Sequence, residues 1–257
     1  MRLFIILLVL SIASGCSYFK TKEDKAKSWT VDRLYAEAKG AMDGGYFSKA
    51  KKYFEFLETR FPFGVYGQQS LLDLAYVYYK TQDYDSSVSS CDRFIRLYPQ
   101  NAHVDYAYYL KGLVNFNRGR GFMERVLPID LSQRDTTYMR TSFQDFKKLV
   151  ERFPDSRYAA DARQRMVYLR NTLGRHEVDV AHYYMRRGAY VAAANRARFA
   201  VENYPRTPVI PDALTIMAKA YKVLGMDKLS GDALRVLKLN YPNYPGIEEV
   251  EQTHIVN

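Results

Sequence analysis

The sequence predicts an all-α fold in which five similar helix pairs stack into a solenoid. The first observation behind this prediction is a spacing of 24 positions from an alanine to a proline, which occurs four times. A fifth, longer segment starts at a glycine and contains an insertion. The segments are Ala38–Pro62, Ala75–Pro99, Gly112–Pro154, Ala181–Pro205 and Ala218–Pro242. A supersecondary unit repeated along a chain indicates stacked repeats that share one core.

The second observation is a turn position inside each regular segment. Seven positions after the starting alanine stand Gly45, Gln82, Gly188 and Gly225. Glycine adopts the left-handed backbone conformation without steric cost, so it suits a sharp turn between two helices. Each segment then ends on an aromatic-proline pair, and proline stops the second helix because it lacks an N–H donor.

The third observation is an apolar stripe at helical spacing in the second half of each segment. It begins with the small residues Ala50, Ser87, Ala193 and Ser230. Apolar partners follow four and seven positions later, namely Phe54 and Leu57, Cys91 and Phe94, Ala197 and Ala200, and Leu234 and Leu237. This combination of small, glycine, aromatic and proline positions resembles the tetratricopeptide repeat, a helix-turn-helix unit.

Two places depart from the regular spacing. Repeat three is 18 positions longer than repeat two, and the excess falls in Asn117–Asp135, which we interpret as a loop inserted between two helices. Repeat four is preceded by an extra segment, Tyr158–Thr172, which predicts an additional helix. We therefore place repeats one to three in residues 28–154, repeats four and five in 155–246, and a flexible tail in 247–257.

The N-terminus has the features of an export signal. Arg2 precedes the apolar run Leu3–Leu10, which is too short to span a bilayer, and small residues lead to Gly15-Cys16. This junction resembles a bacterial lipoprotein signal, which implies removal of residues 1–15 and lipidation of Cys16. Ser17 then implies forwarding to the outer membrane. An ordinary secretory signal with an incidental cysteine is the alternative, and residues 16–27 form a linker in either case.

Catalytic chemistry is not indicated by any motif. The chain has no Gly-rich phosphate loop, no histidine pair at helical spacing, and only two cysteines, so we expect no cofactor, no metal and no enzymatic activity. Its net charge of +10 comes from basic residues interspersed with acids along the helices, which is typical of solvated helix faces. The numerous tyrosines fall at packing positions, so we expect no nucleic-acid partner.

Beyond the repeats, several stretches resemble a family of outer-membrane protein assembly factors. They include Arg152–Ala162, Met166–Asn171, Tyr183–Tyr190, Ala193–Arg196 and Leu239–Pro242. The resemblance implies a non-enzymatic scaffold lipoprotein of a Gram-negative bacterium, anchored to the periplasmic face of the outer membrane. Its implied partners are the barrel protein BamA, other lipoproteins of the assembly complex, and unfolded outer-membrane β-barrel proteins.

Two binding sites follow as expectations. The resemblance suggests that BamA is contacted by Arg196, which lies off the apolar stripe, and by its neighbour Asn195. The first helices of repeats one to three carry an aromatic row with lysines, which suits an extended peptide with aromatic side chains and a free carboxylate. The groove residues are Tyr35, Lys39, Leu72, Tyr76, Tyr79, Lys80, Tyr109, Leu113 and Phe116.

Two other classes of protein remain open. One is a different tetratricopeptide lipoprotein of the cell envelope, such as a pilotin or a peptidoglycan-associated adaptor. The other is an enzyme of peptidoglycan metabolism built on a helical solenoid, which would need an additional catalytic domain. A pull-down that recovers a β-barrel protein rather than a secretin would distinguish the first class from an assembly factor.

Overall fold

The computed structural model describes Ala26, residues 28–118 and residues 136–253, and this part of the chain contains eleven α-helices and no strand. The helices are α1 (Val31–Asp43), α2 (Phe47–Arg60), α3 (Gly64–Lys80), α4 (Tyr84–Leu97), α5 (Val104–Arg118), α6 (Thr137–Arg152), α7 (Ala159–Arg186), α8 (Tyr190–Asn203), α9 (Ile210–Val223), α10 (Asp227–Asn240) and α11 (Gly246–Glu251). The first ten form five consecutive pairs, which confirms the all-α tetratricopeptide solenoid.

Several predicted segments lie outside the described residues. These are the signal peptide, Cys16, nearly all of the linker, residues 119–135 of the predicted insertion, and the last four residues of the tail. Helix α5 ends at Arg118 and α6 begins at Thr137, so the insertion does fall between the two helices of repeat three. No helix of the described residues combines the length and apolar composition that crossing a bilayer requires.

The predicted turn positions adopt the left-handed backbone conformation. Gly45, Gly188 and Gly225 have φ values of 77°, 71° and 70°, and Gln82 has φ 63° at the same place in repeat two. A non-glycine residue in this conformation is disfavoured because its Cβ approaches the following carbonyl oxygen. The repeat geometry therefore imposes this turn even where the sequence does not supply glycine.

Within a pair, the two helices touch at the small residue that begins each segment. In three repeats a serine of the second helix donates its hydroxyl to the carbonyl oxygen of that residue. The bonds are Ser87 Oγ to Ala75 O at 2.7 Å, Ser142 Oγ to Gly112 O at 2.9 Å and Ser230 Oγ to Ala218 O at 2.9 Å. Burying a hydroxyl costs free energy unless it is hydrogen-bonded, so these bonds hold the two helices at close range.

The segment ahead of repeat four is not a separate helix. Helix α7 runs without interruption over 28 residues, so Tyr158–Thr172 continues directly into the first helix of repeat four. Gly174 lies at the junction, and a Cβ there would be 3.2 Å from Val209 Cγ2 and 3.3 Å from Tyr204 Cβ. Gly174 thus allows the connection between α8 and α9 to pack closely on α7, and it does not interrupt the helix.

The first part of the expected flexible tail is helical, because α11 begins at Gly246, ends at Glu251 and packs on α9. Its Val250 is buried against Ala218 and Ala233. Lys222 Nζ donates to the carbonyl oxygens of Val250 at 2.7 Å and Glu251 at 2.9 Å, so a cation satisfies the last carbonyls of this helix. The prediction failed because six residues are too short for a periodicity to be read, and because the docking depends on lysines of other helices.

Two compact units divide the chain, one up to Ala107 and the other from Tyr108, with the boundary inside α5. The sequence analysis divided the chain between residues 154 and 155 instead, because it counted whole repeats. Unit one is built around the buried Leu34, Phe54, Leu57 and Leu74, and the α5–α7 part of unit two around Phe146, Leu149 and Leu169.

We predict opposite effects for two glycine-to-alanine substitutions in helices. A Cβ at Gly112 would lie 2.5 Å from Cε1 of Phe146, whose ring is fully buried and has no room to withdraw. Gly112→Ala should therefore lower the free energy of unfolding by about 1–3 kcal/mol. Gly231→Ala, in α10 with no atom within 4 Å of the added Cβ, should raise it by about 0.5–1 kcal/mol. Urea titrations followed by circular dichroism measure both, and equal effects of the two substitutions would contradict the packing argument.

Candidate partner-binding surfaces

In unit one, two of the predicted groove residues are joined through a buried carboxylate. Asp73 of α3 accepts a hydrogen bond from Tyr35 Oη at 3.0 Å and another from Gln69 Nε2 at 3.2 Å, and Lys39 Nζ lies 3.5 Å from its Oδ1. Burial raises the pKa of Asp73, although Lys39 and the two hydrogen bonds act in the opposite direction. Burial, and next the charge of Asp73, raises the pKa of Tyr35. These contacts fix α1 against α3.

The remaining groove residues of this unit lie along α3. Leu72 is only 3% exposed, so the structure places it in the core and it offers almost no surface to a peptide. Tyr76 and Tyr79 are half-buried, with ring centroids 6.4 Å apart. Lys80 is exposed, with its Nζ 5.4 Å from the centre of the Phe47 ring. Tyr76, Tyr79 and Lys80 therefore form an aromatic surface with one cation at the C-terminal end of α3.

In unit two, the predicted groove residues also pack against α6 and the start of α7. Tyr109 Oη donates to Asp161 Oδ2 at 2.7 Å, and its ring stacks on Tyr158 at a centroid distance of 4.7 Å. Burial, and next the bond to Asp161, raises the pKa of Tyr109 to about 12. Phe116 contacts the ring of Phe146 at 6.4 Å, and Leu113 is partly buried in the same cluster. All three side chains thus contribute part of their surface to packing.

Arg196, the predicted BamA contact, binds a buried carboxylate of its own chain. Its Nη1 donates to Glu177 Oε2 at 2.9 Å, and Arg140 Nη2 donates to the other oxygen at 2.9 Å. Arg140 Nη1 also donates to Tyr204 Oη at 3.0 Å. The Glu177 side chain is fully buried, whereas those of Arg140 and Arg196 are 43% and 46% exposed. One carboxylate therefore links α6, α7 and α8.

Glu177 was missed in the sequence analysis, although a signal was present. It lies four positions before Ala181, so it falls on the apolar stripe of α7, where a charged residue requires a partner. Asn195, the second predicted BamA contact, is exposed on α8, and its Oδ1 accepts from Arg198 Nη2 at 3.3 Å. Arg196 and Asn195 are therefore neighbours on one helix, but only Arg196 is fixed by a buried group.

A cavity of about 220 Å³ lies between α7, α9 and α11. His182 Nε2 lies 3.2 and 3.1 Å from the two carboxylate oxygens of Asp212, and this hydrogen bond raises the pKa of His182. Lys219 and Glu249, which also line the cavity, form an ion pair of 3.1 Å. Within the described residues, no cluster of His, Cys, Asp and Glu side chains is arranged to hold a metal ion. Because its acidic residues are paired with His182 and Lys219, the cavity has no strong charge of one sign.

Glu177→Gln should lower the stability of unit two. The change removes the negative charge between two arginines, and removing one member of a buried ion pair commonly costs 3–5 kcal/mol. Since both arginines are partly exposed, we expect about 3 kcal/mol in the free energy of unfolding. Glu202→Gln is the matched control, because Glu202 is exposed on α8 and lies 4.0 Å from Arg198; it should cost less than about 0.5 kcal/mol. Equal shifts of the melting temperature in the two variants would show that the buried carboxylate contributes no more to stability than an exposed one.

Comparison with known proteins identifies the family. The family model described as "YfiO: Outer membrane lipoprotein" matches residues 27–237. The chain is 43% identical to the outer membrane protein assembly factor BamD of Neisseria meningitidis serogroup B, over 95% of this chain and 94% of that one. Identity to the BamD of Xylella fastidiosa is 39%, over 96% and 84% of the two chains, and to that of Haemophilus influenzae 36%, over 91% and 88%.

A solved structure described as the P58(IPK) TPR domain is also similar, with a TM-score of 0.41 and 13% identity over 87% of this chain and 65% of that chain. The family model and the curated relatives together cover the repeats, both predicted binding surfaces and the helices that support them. The chain therefore belongs to the YfiO outer membrane lipoprotein family, and its Neisseria and Xylella relatives are outer-membrane protein assembly factors.

Proposed function

We propose that this protein is a non-enzymatic scaffold, anchored by lipid to the periplasmic face of the outer membrane, which binds BamA and unfolded β-barrel proteins. The observation that carries the proposal is the 43% identity to a named assembly factor over 95% of the chain. The helix pairs support it, because stacked repeats offer extended surfaces on which several partners bind at once. Other assembly-complex lipoproteins would use the remaining faces.

Attachment to the membrane would depend on Cys16. A single acyl chain holds a protein only marginally, whereas the several chains of a bacterial lipoprotein hold it firmly. The linker from Cys16 to Ser28 has twelve residues and spans at most about 40 Å, so the first repeat would stay close to the bilayer. A scaffold held at this distance could bind barrel proteins close to the membrane into which they are inserted.

The BamA contact would be made by the outward side of Arg196. Glu177 holds one edge of the guanidinium at 2.9 Å, while 46% of the side chain faces solvent. An arginine that is already ordered loses less conformational entropy when it binds, and its planar fork suits a carboxylate of the partner. Asn195 would add a neutral hydrogen-bonding group beside it.

Arg196→Gln should weaken binding to BamA at least tenfold, because removal of one partner of an interfacial charge pair costs 2–5 kcal/mol. Glutamine is preferable to a charge reversal, since a glutamate would place a second carboxylate beside the buried Glu177. Arg235→Gln is the matched control on α10, where the Arg235 side chain is 70% exposed and pairs with Asp232, and it should change the affinity little. Calorimetry with purified BamA, at a temperature where circular dichroism shows all variants folded, gives the affinities. Affinity within twofold of wild type for Arg196→Gln would remove it from the site.

The peptide site in unit one would use Tyr76, Tyr79 and Lys80. The two tyrosine rings offer broad apolar contact at low entropic cost, and the ammonium group of Lys80 provides a charge for a terminal carboxylate. Lys39 is less suited to this role because Asp73 lies 3.5 Å from it and offsets its charge. In unit two, Leu113 and Phe116 would provide only the part of their surface that is left after packing.

A photo-crosslinking side chain at Tyr76 or Tyr79 should label a peptide that ends in an aromatic residue with a free carboxylate. Labelling should fall several-fold when the terminal aromatic residue is replaced by alanine, because the ring contact is lost. Tyr183 is the matched control, since it is exposed on α7 and its ring lies 5.7 Å from that of Tyr184. Tyr109 is unsuitable because its hydroxyl and ring are already engaged. Equal labelling of both peptides, or stronger labelling from Tyr183, would place the receptor site elsewhere.

A further inference from the structure

The turn between α2 and α3 and the first residues of α3 expose two large apolar side chains. Phe63 is 84% exposed and Val65 80%, and Gly64 between them has φ 80°. Residues Phe63, Gly64 and Val65 are called the apolar tip below. The turn is held firmly, because a Cβ at Gly67 would lie 2.7 Å from the carbonyl oxygens of Phe61 and Pro62, so α3 begins in close contact with the turn backbone. A firm turn that exposes a phenylalanine and a valine is a candidate contact surface.

The other repeats show that the fold does not require these apolar residues. Each of the five repeats ends on an aromatic-proline pair, and the residue after the proline is Phe63 in repeat one. The equivalent residues in the other four repeats are Gln100, Asp155, Arg206 and Asn243, all of them polar. The connection between α2 and α3 is three residues long, whereas the other four are five or six residues long. An apolar residue directly after the proline is thus particular to repeat one, and its side chain contributes little to the core because 84% of it is exposed.

The chain enters unit one at the same end as the apolar tip. Arg60, the last residue of α2, donates from Nη1 to the carbonyl oxygen of Ala26 at 3.3 Å and from Nη2 to that of Trp29 at 3.2 Å. Phe63 follows Arg60 by only three residues. Ala26 is ten positions after Cys16, a stretch of chain that spans at most about 35 Å. A lipid on Cys16 would therefore hold this end of the unit near the bilayer.

The surroundings of the apolar tip suit a lipid headgroup region. Trp29 lies at this end, with the guanidinium carbon of Arg33 4.6 Å from its ring centre, and tryptophan with arginine is typical of membrane interfaces. Arg33 and Arg60 are exposed cations, while Asp32 is the acid beside them. A hydrogen bond with Asp32 raises the pKa of Tyr66, so this carboxylate is engaged by α3.

We infer that the apolar tip is a membrane-contacting edge, at which Phe63 and Val65 enter the interface of the phospholipid bilayer that holds the lipid anchor. The inference rests on the proposed lipidation of Cys16. Two exposed side chains alone bind a bilayer weakly, but an anchor within about 35 Å makes their insertion an intramolecular event at high effective concentration. The contact would fix the orientation of the first repeat, which a flexible linker alone does not do.

The test uses the full-length lipidated protein in vesicles of phosphatidylethanolamine and phosphatidylglycerol. An environment-sensitive nitrobenzoxadiazole (NBD) dye is attached at Val65→Cys, with Tyr46→Cys as the matched control. Tyr46 is 70% exposed and immediately precedes the 14-residue α2, so it lies about 20 Å from the apolar tip. The native Cys91 is fully buried and is protected from labelling. We expect a blue shift, a several-fold rise in emission and quenching by nitroxide lipids at position 65, with none of these at position 46.

Flotation of the same samples separates this inference from the proposed anchoring. Protein that fails to float with the vesicles, or a Cys16→Ala variant that floats equally well, contradicts the lipid anchor. Protein that floats while the dye at position 65 remains as water-exposed as the dye at position 46 contradicts the membrane-contacting edge alone. A blue shift produced by an unfolded barrel protein without vesicles, and not by vesicles, would assign the apolar tip to a protein partner. Phe63→Ser should reduce the response at position 65 without changing the melting temperature, since the side chain makes little contact with the fold.

Discussion

The fold depends on one close approach in each repeat, where the backbone of the first helix meets the second helix at a small residue. Ala38, Ala75, Ala181 and Ala218 are all fully buried, and Gly112 takes the same place in repeat three. A larger side chain there would push the helices apart and misalign the next pair, because each repeat packs only on its neighbours. Where the second helix supplies a serine, its hydrogen bond to a carbonyl oxygen of the first helix also fixes the orientation of the two helices.

Much of the fold was predictable because tetratricopeptide repeats have a strong local code. The left-handed turns, the apolar stripes and the proline stops each recur at a fixed spacing, and the structure contains all of them. Long-range contacts were less accessible to the sequence analysis. Glu177 pairs with Arg140 and Arg196, which are 37 and 19 positions away, and α11 is fixed by Lys222 of α9.

The candidate site was predicted less well than the fold, and Leu72 and Arg196 show why. A helical repeat specifies which residues lie near a surface, but a rotation of a few tens of degrees decides between core and solvent, and Leu72 falls on the core side. Arg196 lies off the apolar stripe as expected, yet its guanidinium reaches back to a buried carboxylate. Tyr35 and Tyr109 likewise donate to acids of the next repeat, so residues predicted to bind a peptide also serve in packing. A consequence is that these surfaces are ordered before any partner arrives.

Helix α11 also determines how the repeat array ends. A solenoid whose final pair leaves its apolar face uncovered can accept the first pair of another chain, and such head-to-tail contact continues without limit into filaments. Here Val250 and Ile247 cover that face of α9 and α10, and Lys238 Nζ contacts Glu251 Oε1 at 2.6 Å from the far side. The chain thereby covers its own last repeat, which leaves less apolar surface on which a second copy could continue the array.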